Sequence, residues 1–318
     1  MEGTLTKKEI LAIAPMMEIV LPQMEDLFTT HVLWRAEDPE ELIEMVGPRV
    51  EAIATDGAIG CTASLMDRCP NARIIGSCGV GYDAIDLDAA RARGIAVTNT
   101  PDVLNDAVAE MALALMLALA RKIPQSDAYV RAGRWLSDGA FPYTGELTGS
   151  TVGIVGLGRI GKEIALRCQA MRMRVVYHGR SEQAHQPYPY YADLEEMAHD
   201  ADWLVLIAPG TPETKGIVSR KVMAALGPMG HLVNIARGSL VDQTAMVEML
   251  SSGALGGAAL DVFAAEPEVP EALFGLDNVV LSPHQGSATW KTRTQMGELV
   301  IRNIQAQLEG LPLLTPVI

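Results

Sequence analysis

The chain has 318 residues, with 25 lysines and arginines against 39 aspartates and glutamates, and its formal net charge is −14. Hydrophobic residues make up 49% of it and charged residues 20%, a composition that supplies packed cores and excludes extensive disorder. The acidic balance disfavours sequence-independent binding to nucleic acid or to anionic membranes, since both depend on dense positive charge. The length predicts about two domains.

The sequence predicts no membrane span, secretory signal or metal site. The longest apolar run, Met111 to Ala120, is about half as long as a bilayer crossing requires, and charged residues interrupt the amino-terminal stretch. We therefore expect a cytoplasmic protein. The cysteines form no CxxC pair and no cluster with histidine, so we expect reduced thiols and no zinc. They are Cys61, Cys69, Cys78 and Cys168.

Short apolar runs alternate with helical patterns through the first hundred residues. Such alternation predicts a parallel β-sheet with helices on both faces. The predicted strands are residues 10–14, 32–34, 52–55, 73–77 and 96–99. Helical patterns cover residues 39–45 and 87–93, and Gly94 follows the second of them as a left-handed helix terminator would.

A long helix is predicted at residues 104–121, after a linker near residues 99–104. Its residues are apolar nearly all round, and a helix without a polar face must be buried. The helix lies either at an interface between domains or subunits, or inside one large core. The sequence leaves both alternatives open.

A second series of strands and helices begins at Thr151 and contains six further strands. The predicted strands are residues 151–155, 174–177, 203–207, 231–235, 258–260 and 279–282. The last helical pattern, residues 288–308, has no further strand to feed, so we expect it to fold back onto the first domain. Residues 1–100 with 287–318 are then one discontinuous domain, and residues 101–286 are the other.

A glycine-rich turn between the first strand and helix of that series predicts a nucleotide site. In a G-x-G-x-x-G turn, the first glycine permits the tight turn, the second lets the backbone approach a pyrophosphate, and the third lets the helix pack on the strand. The helix amino terminus then offers unpaired N–H groups to the phosphates. The predicted phosphate-binding residues are Gly156, Leu157, Gly158, Arg159, Ile160 and Gly161.

The end of the next strand predicts the coenzyme. NAD sites usually carry an aspartate or glutamate there, which binds the ribose hydroxyls and repels a 2′-phosphate. Here the chain reads His178-Gly-Arg180-Ser181, with no carboxylate. Arg180 can pair with a 2′-phosphate through a planar fork of donors, and Ser181 adds a hydroxyl. We predict a preference for NADP(H), with NAD(H) as a second coenzyme; the alternative is that Arg180 is an ordinary solvated arginine.

Three later strands each end in a segment with a reactive side chain, at the edge where open α/β sheets bind ligands. These side chains are Arg237, Glu266 and His284. Taken singly, each residue has an ordinary interpretation: Arg237 as a surface charge, Glu266 as a loop acid before proline, and His284 as a structural histidine. Together they supply an anion binder, a carboxylate and a proton donor beside the predicted nucleotide site.

Over nearly its whole length, the chain resembles the D-isomer-specific 2-hydroxyacid dehydrogenases. The segments that carry the resemblance are Gly79-Val-Gly81-Tyr-Asp83, Asn99-Thr-Pro101, Val108-Ala-Glu110, the glycine turn, and the segments of Arg237, Glu266 and His284. The Arg180 turn and the Gly286-Ser-Ala-Thr289 segment resemble the NADPH-preferring glyoxylate/hydroxypyruvate reductase branch. The resemblance implies a flavodoxin-like substrate domain, a Rossmann cofactor domain, an active-site cleft between them and usually a homodimer.

The expected chemistry is reduction of a small 2-oxo acid to its D-2-hydroxy acid. Arg237 would hold the substrate carboxylate and polarise the carbonyl, and His284 would donate a proton to the oxygen as hydride arrives. A carboxylate such as Glu266 favours the protonated imidazole. The loop after a first-domain strand, Cys78, Gly79, Val80 and Gly81, would bind the carboxylate through backbone N–H groups. We interpret the Cys78 thiol as a packing group and not as a catalytic nucleophile.

The resemblance assigns further positions. Val108, Pro209, Thr214, Ala236, Asp261 and Gly286 complete the expected cofactor set, with Asp261 as partner of the nicotinamide carboxamide, and Trp290 is expected to line the substrate pocket. Trp135 resembles a tryptophan of the dimer arm. For Val108 the alternative is helix packing, and for both tryptophans it is core packing.

Four other functions are alternatives to the reduction of a small 2-oxo acid. A reductase of bulkier 2-oxo acids such as phenylpyruvate has the same machinery. Formate dehydrogenases use glutamine where this chain has Glu266, and phosphoglycerate dehydrogenases usually carry the NAD-selective acid that is missing here. Nucleotide-sensing corepressors share the fold and can retain the three reactive residues, but they are typified by disordered recruitment tails that this sequence does not show.

Overall fold

The structure is a computed structural model that describes residues 7–318, apart from the side chain of Met16. Its backbone contacts divide the chain into two compact units. Unit 1 takes the residues up to Leu104 together with Ala288–Ile318, and unit 2 is Asn105–Ser287. Both are parallel-sheet α/β domains, as the sequence predicts.

Within its described residues, unit 1 contains five parallel strands in the order β2-β1-β3-β4-β5, the order of flavodoxin-like sheets. The strands are β1 (Glu9–Ala12), β2 (Thr29–Val32), β3 (Ala52–Asp56), β4 (Ile74–Cys78) and β5 (Ala96–Thr98). The helices are α1 (Leu21–Leu27), α2 (Pro39–Val46), α3 (Ala63–Arg68), α4 (Leu87–Ala92) and α12 (Trp290–Glu309). Strands β3 and β4 are buried along their whole length, which explains their continuous apolar runs.

Helix α12 packs on the middle of β4. A Cβ atom at Gly76 would lie only 2.9 Å from Val300 Cγ1, so glycine is what allows this close approach. After the helix, the Val317 N–H donates to the Val97 carbonyl at 2.7 Å, which adds the last residues to the β5 edge. Residues 288–318 are therefore integral to unit 1.

The predicted second strand is wrong in position. The apolar triplet Val32, Leu33 and Trp34 suggested a strand, but the strand is Thr29–Val32 and Leu33–Arg35 forms a 3-10 turn. Strand β2 is the edge of its sheet and is only partly buried. An edge strand is held by one row of backbone hydrogen bonds and needs no continuous apolar run, so hydrophobicity alone does not locate it.

Unit 2 contains seven parallel strands in the order β12-β11-β10-β9-β6-β7-β8, which is the Rossmann arrangement extended by one strand. The strands are β6 (Thr151–Val155), β7 (Arg174–His178), β8 (Tyr190–Tyr191), β9 (Trp203–Leu206), β10 (His231–Asn234), β11 (Gly257–Leu260) and β12 (Val279–Leu281). The helices are α5 (Asn105–Ala120), α6 (Ile123–Arg131), α7 (Arg134–Ser137), α8 (Arg159–Ala170), α9 (Leu194–Asp200), α10 (Arg220–Leu226) and α11 (Gln243–Ser252).

The long apolar helix α5 packs inside unit 2. Its buried side chains lie against α8 and the neighbouring strands, with Leu119 reaching the backbone of Gly257. An ion pair of 2.6 Å between Asp106 and Arg167 also joins α5 to α8. The buried face of α5 therefore belongs to the core of unit 2. Within residues 7–318, no helix has both the length and the apolar character that a bilayer crossing demands.

Candidate functional site

The glycine turn after β6 has the shape of a dinucleotide-binding turn. Gly156 adopts φ +103°, and a Cβ there would lie 2.8 Å from the Ala208 nitrogen, so this position requires glycine. A Cβ at Gly161 would lie 2.2 Å from the Gly156 carbonyl oxygen, which fixes the helix close to the strand. The first and third glycines therefore have the roles that the sequence predicts for them.

The second glycine faces open space. A Cβ at Gly158 would meet no atom within 4 Å, and Gly158 caps α8 without any side-chain hydrogen bond to the helix N–H groups. Leu157 is buried beneath the turn, and Arg159 and Ile160 open the helix. The amino terminus of α8 therefore has space for a phosphate and N–H groups that can donate hydrogen bonds to it. These residues fit a dinucleotide.

The loop after β9 lies beside this turn, where the strand order reverses. Pro209 and Thr214 belong to one self-bonded loop, since the Thr214 hydroxyl donates to the Pro209 carbonyl at 2.7 Å. The same hydroxyl accepts the Thr211 N–H at 2.8 Å. Because open α/β sheets bind ligands at such a reversal, both residues stand at the expected edge for a nucleotide.

Arg180 and Ser181 are exposed on a turn that is tied to the glycine turn. The Gln183 side chain donates to the Leu157 carbonyl at 2.8 Å, and the Gln183 N–H donates to the Tyr177 hydroxyl at 2.7 Å. His178 ends β7, and its ring bonds the Tyr191 carbonyl at 3.0 Å. Within the described residues, Arg180 makes no ion pair, and residues 178–181 include no carboxylate.

His284 and Glu266 form a direct pair. The His284 Nδ1 atom lies 2.7 Å from the Glu266 carboxylate, and both side chains are partly exposed. Burial raises the pKa of the Glu266 carboxyl, but the hydrogen bonds from His284 and from the Phe263 N–H, with the charges of His284 and Arg237, outweigh it. The net pKa lies below the ordinary value, so Glu266 is ionised at neutral pH.

Arg237 lies on a turn organised by a buried asparagine at the end of β10. The Asn234 side chain donates to the Arg237 carbonyl at 2.9 Å and accepts the Ala236 N–H at 3.1 Å. The Arg237 guanidinium donates to the Ala236 carbonyl at 2.8 Å. A Cβ at Gly238 would lie 2.0 Å from the Phe263 carbonyl, so the Arg237 turn and the Glu266 loop are in contact.

Asp261 is buried and bonds the loop that carries His284. Its carboxylate accepts the N–H groups of Gln285 and Gly286, each at 2.8 Å. Next to Gly286 lies Val108 of α5, with its methyl groups 3.7 and 3.8 Å from a Cβ placed on that glycine. Val108, Asp261 and Gly286 are thus neighbours, although the bonds of Asp261 are to protein groups.

The predicted carboxylate loop of unit 1 is only partly available. The Gly79 N–H donates to the Thr100 hydroxyl at 2.9 Å, so it is occupied. Among the described residues, no hydrogen bond is made by the N–H groups of Val80 and Gly81. Burial raises the pKa of the Cys78 thiol to about 12, which fits packing rather than nucleophilic chemistry.

The two tryptophans singled out by the sequence are not core residues. Trp290, at the first turn of α12, is 84% exposed, and Trp135 of α7 is 65% exposed. In the part of the chain that the structure describes, no group of three or more His, Cys, Asp or Glu side chains is arranged to hold a metal ion.

Sequence reasoning missed the residues that hold these turns. Asn234, Gln183 and Ser282 were given no role, and all three bond to loops that carry predicted site residues. One signal was present: a polar residue at the end of an apolar strand must find partners when it is buried. Asn234 and Asp261 both meet that description, but the sequence does not show which loops they bond.

A parallel sheet of Rossmann order with a glycine turn at its strand reversal defines a dinucleotide-binding α/β protein. Residues 113–286 match the family model described as D-isomer specific 2-hydroxyacid dehydrogenase, NAD binding domain. The chain belongs to this family. The resemblance predicted from the sequence is therefore confirmed.

Relatives of the chain match it over nearly their whole length. Glyoxylate/hydroxypyruvate reductase A of Arabidopsis thaliana is 43% identical over 309 residues, covering 97% of this chain and 98% of its own. Hydroxyphenylpyruvate reductase of Plectranthus scutellarioides is also 43% identical with the same coverage. The solved NADPH-dependent glyoxylate/hydroxypyruvate reductase of Sinorhizobium meliloti, in complex with NADP and malonate, has a TM-score of 0.93 and 42% identity, covering 98% of this chain and 97% of that one.

Proposed function

We propose that this protein reduces a small 2-oxo acid of the glyoxylate or hydroxypyruvate type to the D-2-hydroxy acid, with NADPH as hydride donor. The observation that carries the proposal is the 2.7 Å pair of His284 and Glu266, which belongs to the same parallel-sheet unit as the glycine turn after β6. Names of relatives support the substrate class, since one is a glyoxylate/hydroxypyruvate reductase.

In this proposal each reactive side chain has one task. A nicotinamide coenzyme, held by the glycine turn from Gly156 to Gly161, would supply the hydride for the carbonyl carbon. His284 donates a proton to the carbonyl oxygen as negative charge develops there, and in the reverse direction neutral His284 accepts the alcohol proton. Glu266, ionised at neutral pH, favours the imidazolium and orients the ring through Nδ1, which leaves Nε2 for the substrate.

Arg237 supplies the positive charge that an anionic substrate needs in a protein of charge −14. Its guanidinium can hold the carboxylate through paired hydrogen bonds and polarise the carbonyl. In unit 1, the N–H groups of Val80 and Gly81 make no hydrogen bond within the described residues, and we propose them as donors to a substrate carboxylate. The exposed ring of Trp290 is a candidate wall for the substrate side chain.

The preference for NADPH rests on the Arg180 turn. An exposed guanidinium with a neighbouring hydroxyl, and no carboxylate at residues 178–181, suits a 2′-phosphate. One structural relative is described as NADPH-dependent and was solved with NADP. NAD(H) would still fit the glycine turn, because that turn contacts only the pyrophosphate.

The direct test is a spectrophotometric panel with glyoxylate, hydroxypyruvate, pyruvate and phenylpyruvate, each with NADPH and with NADH. We expect the highest kcat/KM for glyoxylate or hydroxypyruvate with NADPH. A clear preference for phenylpyruvate would favour the alternative that the hydroxyphenylpyruvate reductase relative suggests. Coenzyme binding without turnover of any 2-oxo acid would overturn the proposal and favour a nucleotide-sensing interaction protein.

We also propose that the functional assembly is a homodimer. Three large apolar side chains that are close in sequence are exposed on the segment that follows α5: Trp135 is 65% exposed, Leu136 is 96% exposed, and Tyr143 is fully exposed. Exposed large apolar side chains that are adjacent on a surface are typical of protein–protein interfaces. Analytical ultracentrifugation should give a dimer for the wild type and a monomer for Leu136→Asp; a wild-type monomer at micromolar concentration would contradict the assignment.

A further inference from the structure

The loop that carries His284 is hydrogen-bonded to two consecutive residues at the end of β11, Leu260 and Asp261. The Ser282 N–H donates to the Leu260 carbonyl, and the His284 N–H donates to the Asp261 carbonyl, each at 2.8 Å. The Asp261 side chain accepts the Gln285 and Gly286 N–H groups. Its shortest bond is to the Ser282 hydroxyl, which donates to Asp261 Oδ1 at 2.6 Å.

These bonds hold a conformation that the loop would not adopt on its own. His284 has φ +52°, in the left-handed region that is sterically unfavourable for a residue with a Cβ. Such backbone persists where the surroundings over-determine it. Asp261 is 1% exposed, so its carboxylate lies in a medium where hydrogen bonds to a charged group are strong.

The Ser282 hydroxyl is the single side-chain donor among these bonds. All other donors to Asp261 in the loop are backbone N–H groups, which no substitution can remove without changing the chain path. Ser282 also lies two residues before His284, so its position fixes the start of the turn that aims the imidazole. The loop therefore has one chemical contact that a mild substitution can delete.

We propose that Ser282, through its hydrogen bond to Asp261, is a positioning residue that holds the His284 imidazole against Glu266. This inference rests on the proposed function, because it assigns His284 the proton transfer. It differs from the family-implied role of Asp261 at the nicotinamide, since Ser282 acts on the loop and needs no contact with the coenzyme.

The charged groups around the imidazole in unit 2 are few. Glu266 bonds it directly, Asp261 lies under its loop, and Arg237 acts on the Glu266 carboxylate by its charge. Loss of the Ser282 hydroxyl leaves all three in place. The expected change is therefore geometric: the loop relaxes, the pair with Glu266 lengthens, and the imidazole releases its proton at lower pH.

Three variants test the proposal. Ser282→Ala deletes the hydroxyl, and Ser282→Thr keeps it. Ser150→Ala is the matched control, because the Ser150 hydroxyl also donates a 2.6 Å bond, to the Leu147 carbonyl in a remote turn. We measure kcat and KM with the best substrate of the panel across pH 5.5–9, the Kd for NADPH, and the His284 ring titration by NMR, with His284→Gln identifying its signal.

For Ser282→Ala we expect about a tenfold lower kcat, a pH profile displaced toward acid and a lower His284 titration midpoint, with the Kd for NADPH within about twofold. Ser282→Thr and Ser150→Ala should resemble the wild type. A Ser282→Ala protein with unchanged midpoint and pH profile would overturn the positioning role, even if its kcat fell. If the wild type reduces no 2-oxo acid, the NMR titration still decides whether Ser282 positions the ring, so failure of the proposed function is seen separately.

Discussion

The two ends of strand β10 use polar side chains in opposite ways. At its carboxyl end, buried Asn234 uses both its amide nitrogen and its amide oxygen to hold the Arg237 turn, and the carboxylate of neighbouring Asp261 holds the His284 loop. At its amino end, His231 stacks on Trp203 with ring centroids 4.3 Å apart, and its buried Nδ1 has no hydrogen-bond partner within the described chain.

The difference separates chemistry from packing within one strand. Satisfied buried groups at the carboxyl end hold the loops that carry Arg237 and His284, at the edge where open α/β sheets bind ligands. The histidine at the amino end serves the core instead. Burial lowers the pKa of the His231 imidazole, although hydrogen bonding and charge from Asp202 act against it. Substitutions at one end should therefore change turnover or binding, and substitutions at the other should change stability.

The largest expected effect is that of His284→Ala. Removing a general acid typically costs about 10²–10⁴ in turnover, so kcat for the preferred 2-oxo acid should fall by that factor. Thermal denaturation and the Kd for NADPH should stay close to wild type, because the ring is partly exposed. Turnover within about threefold of wild type would remove His284 from the proton transfer.

The second-largest effect is expected for Arg180→Ala, on the binding of NADPH. Loss of the guanidinium fork removes charge-assisted bonds to the 2′-phosphate, so NADPH should bind about 10- to 100-fold more weakly while NADH binding changes little. Fluorescence titration with each reduced coenzyme measures both. Equal weakening of the two coenzymes would show that Arg180 does not contact the 2′-phosphate.

Glu266→Gln should shift a pH profile more than it lowers the maximum rate. An ionised carboxylate at 2.7 Å favours the imidazolium, and a neutral amide does not. The descending limb of kcat/KM for reduction should therefore move toward acid, and kcat at its optimum should fall about tenfold. A limb that stays at the wild-type pH would contradict a protonating role for this carboxylate.

The smallest effect is expected at the amino end of β10. Because the pKa of His231 is lowered in the folded protein, the unfolded chain binds more protons as pH falls below about 6.5, and stability is lost in that direction. His231→Phe keeps an aromatic ring on Trp203 and removes the titration.

Chemical denaturation between pH 7.5 and 5 should then show a flatter loss of unfolding free energy for His231→Phe, by about 1 kcal/mol or less, with unchanged kcat at pH 7. The exposed His185 supplies the control, as His185→Asn should leave the pH dependence as it is. A variant as acid-sensitive as the wild type would place the destabilising protonation elsewhere.

The sequence predicts the elements with strong apolar patterns and misses those held by a few backbone bonds. Strands β3 and β6 follow their buried runs, whereas the edge strand β2 was misplaced and the two-residue strand β8 was not predicted. The first two are fixed by local hydrophobicity. The latter two depend on a neighbouring strand that no local window contains.

The same distinction holds for the candidate site. Glycine spacing and residue type singled out Gly156, Arg180 and His284. The role of each follows from its own residue type: glycine for a tight turn, arginine for an anion, and histidine for a proton. The sequence could not show that Thr100 occupies the Gly79 N–H, or that Ser282 bonds Asp261, because both contacts join residues about twenty positions apart. Such pairs are set by the sheet register and become visible only in the folded chain.

The discontinuity of unit 1 has a consequence for biosynthesis. Unit 2 is one uninterrupted stretch, so its strands are synthesised one after another with no segment of unit 1 between them. Unit 1 is complete only after Val317 has been synthesised and can bond Val97, and after helix α12 can cover β4. During translation the exposed apolar face of β4 must stay soluble while more than two hundred further residues, those between Cys78 and Trp290, are added. Chaperone demand during expression should therefore arise mainly from the amino-terminal third of the nascent polypeptide.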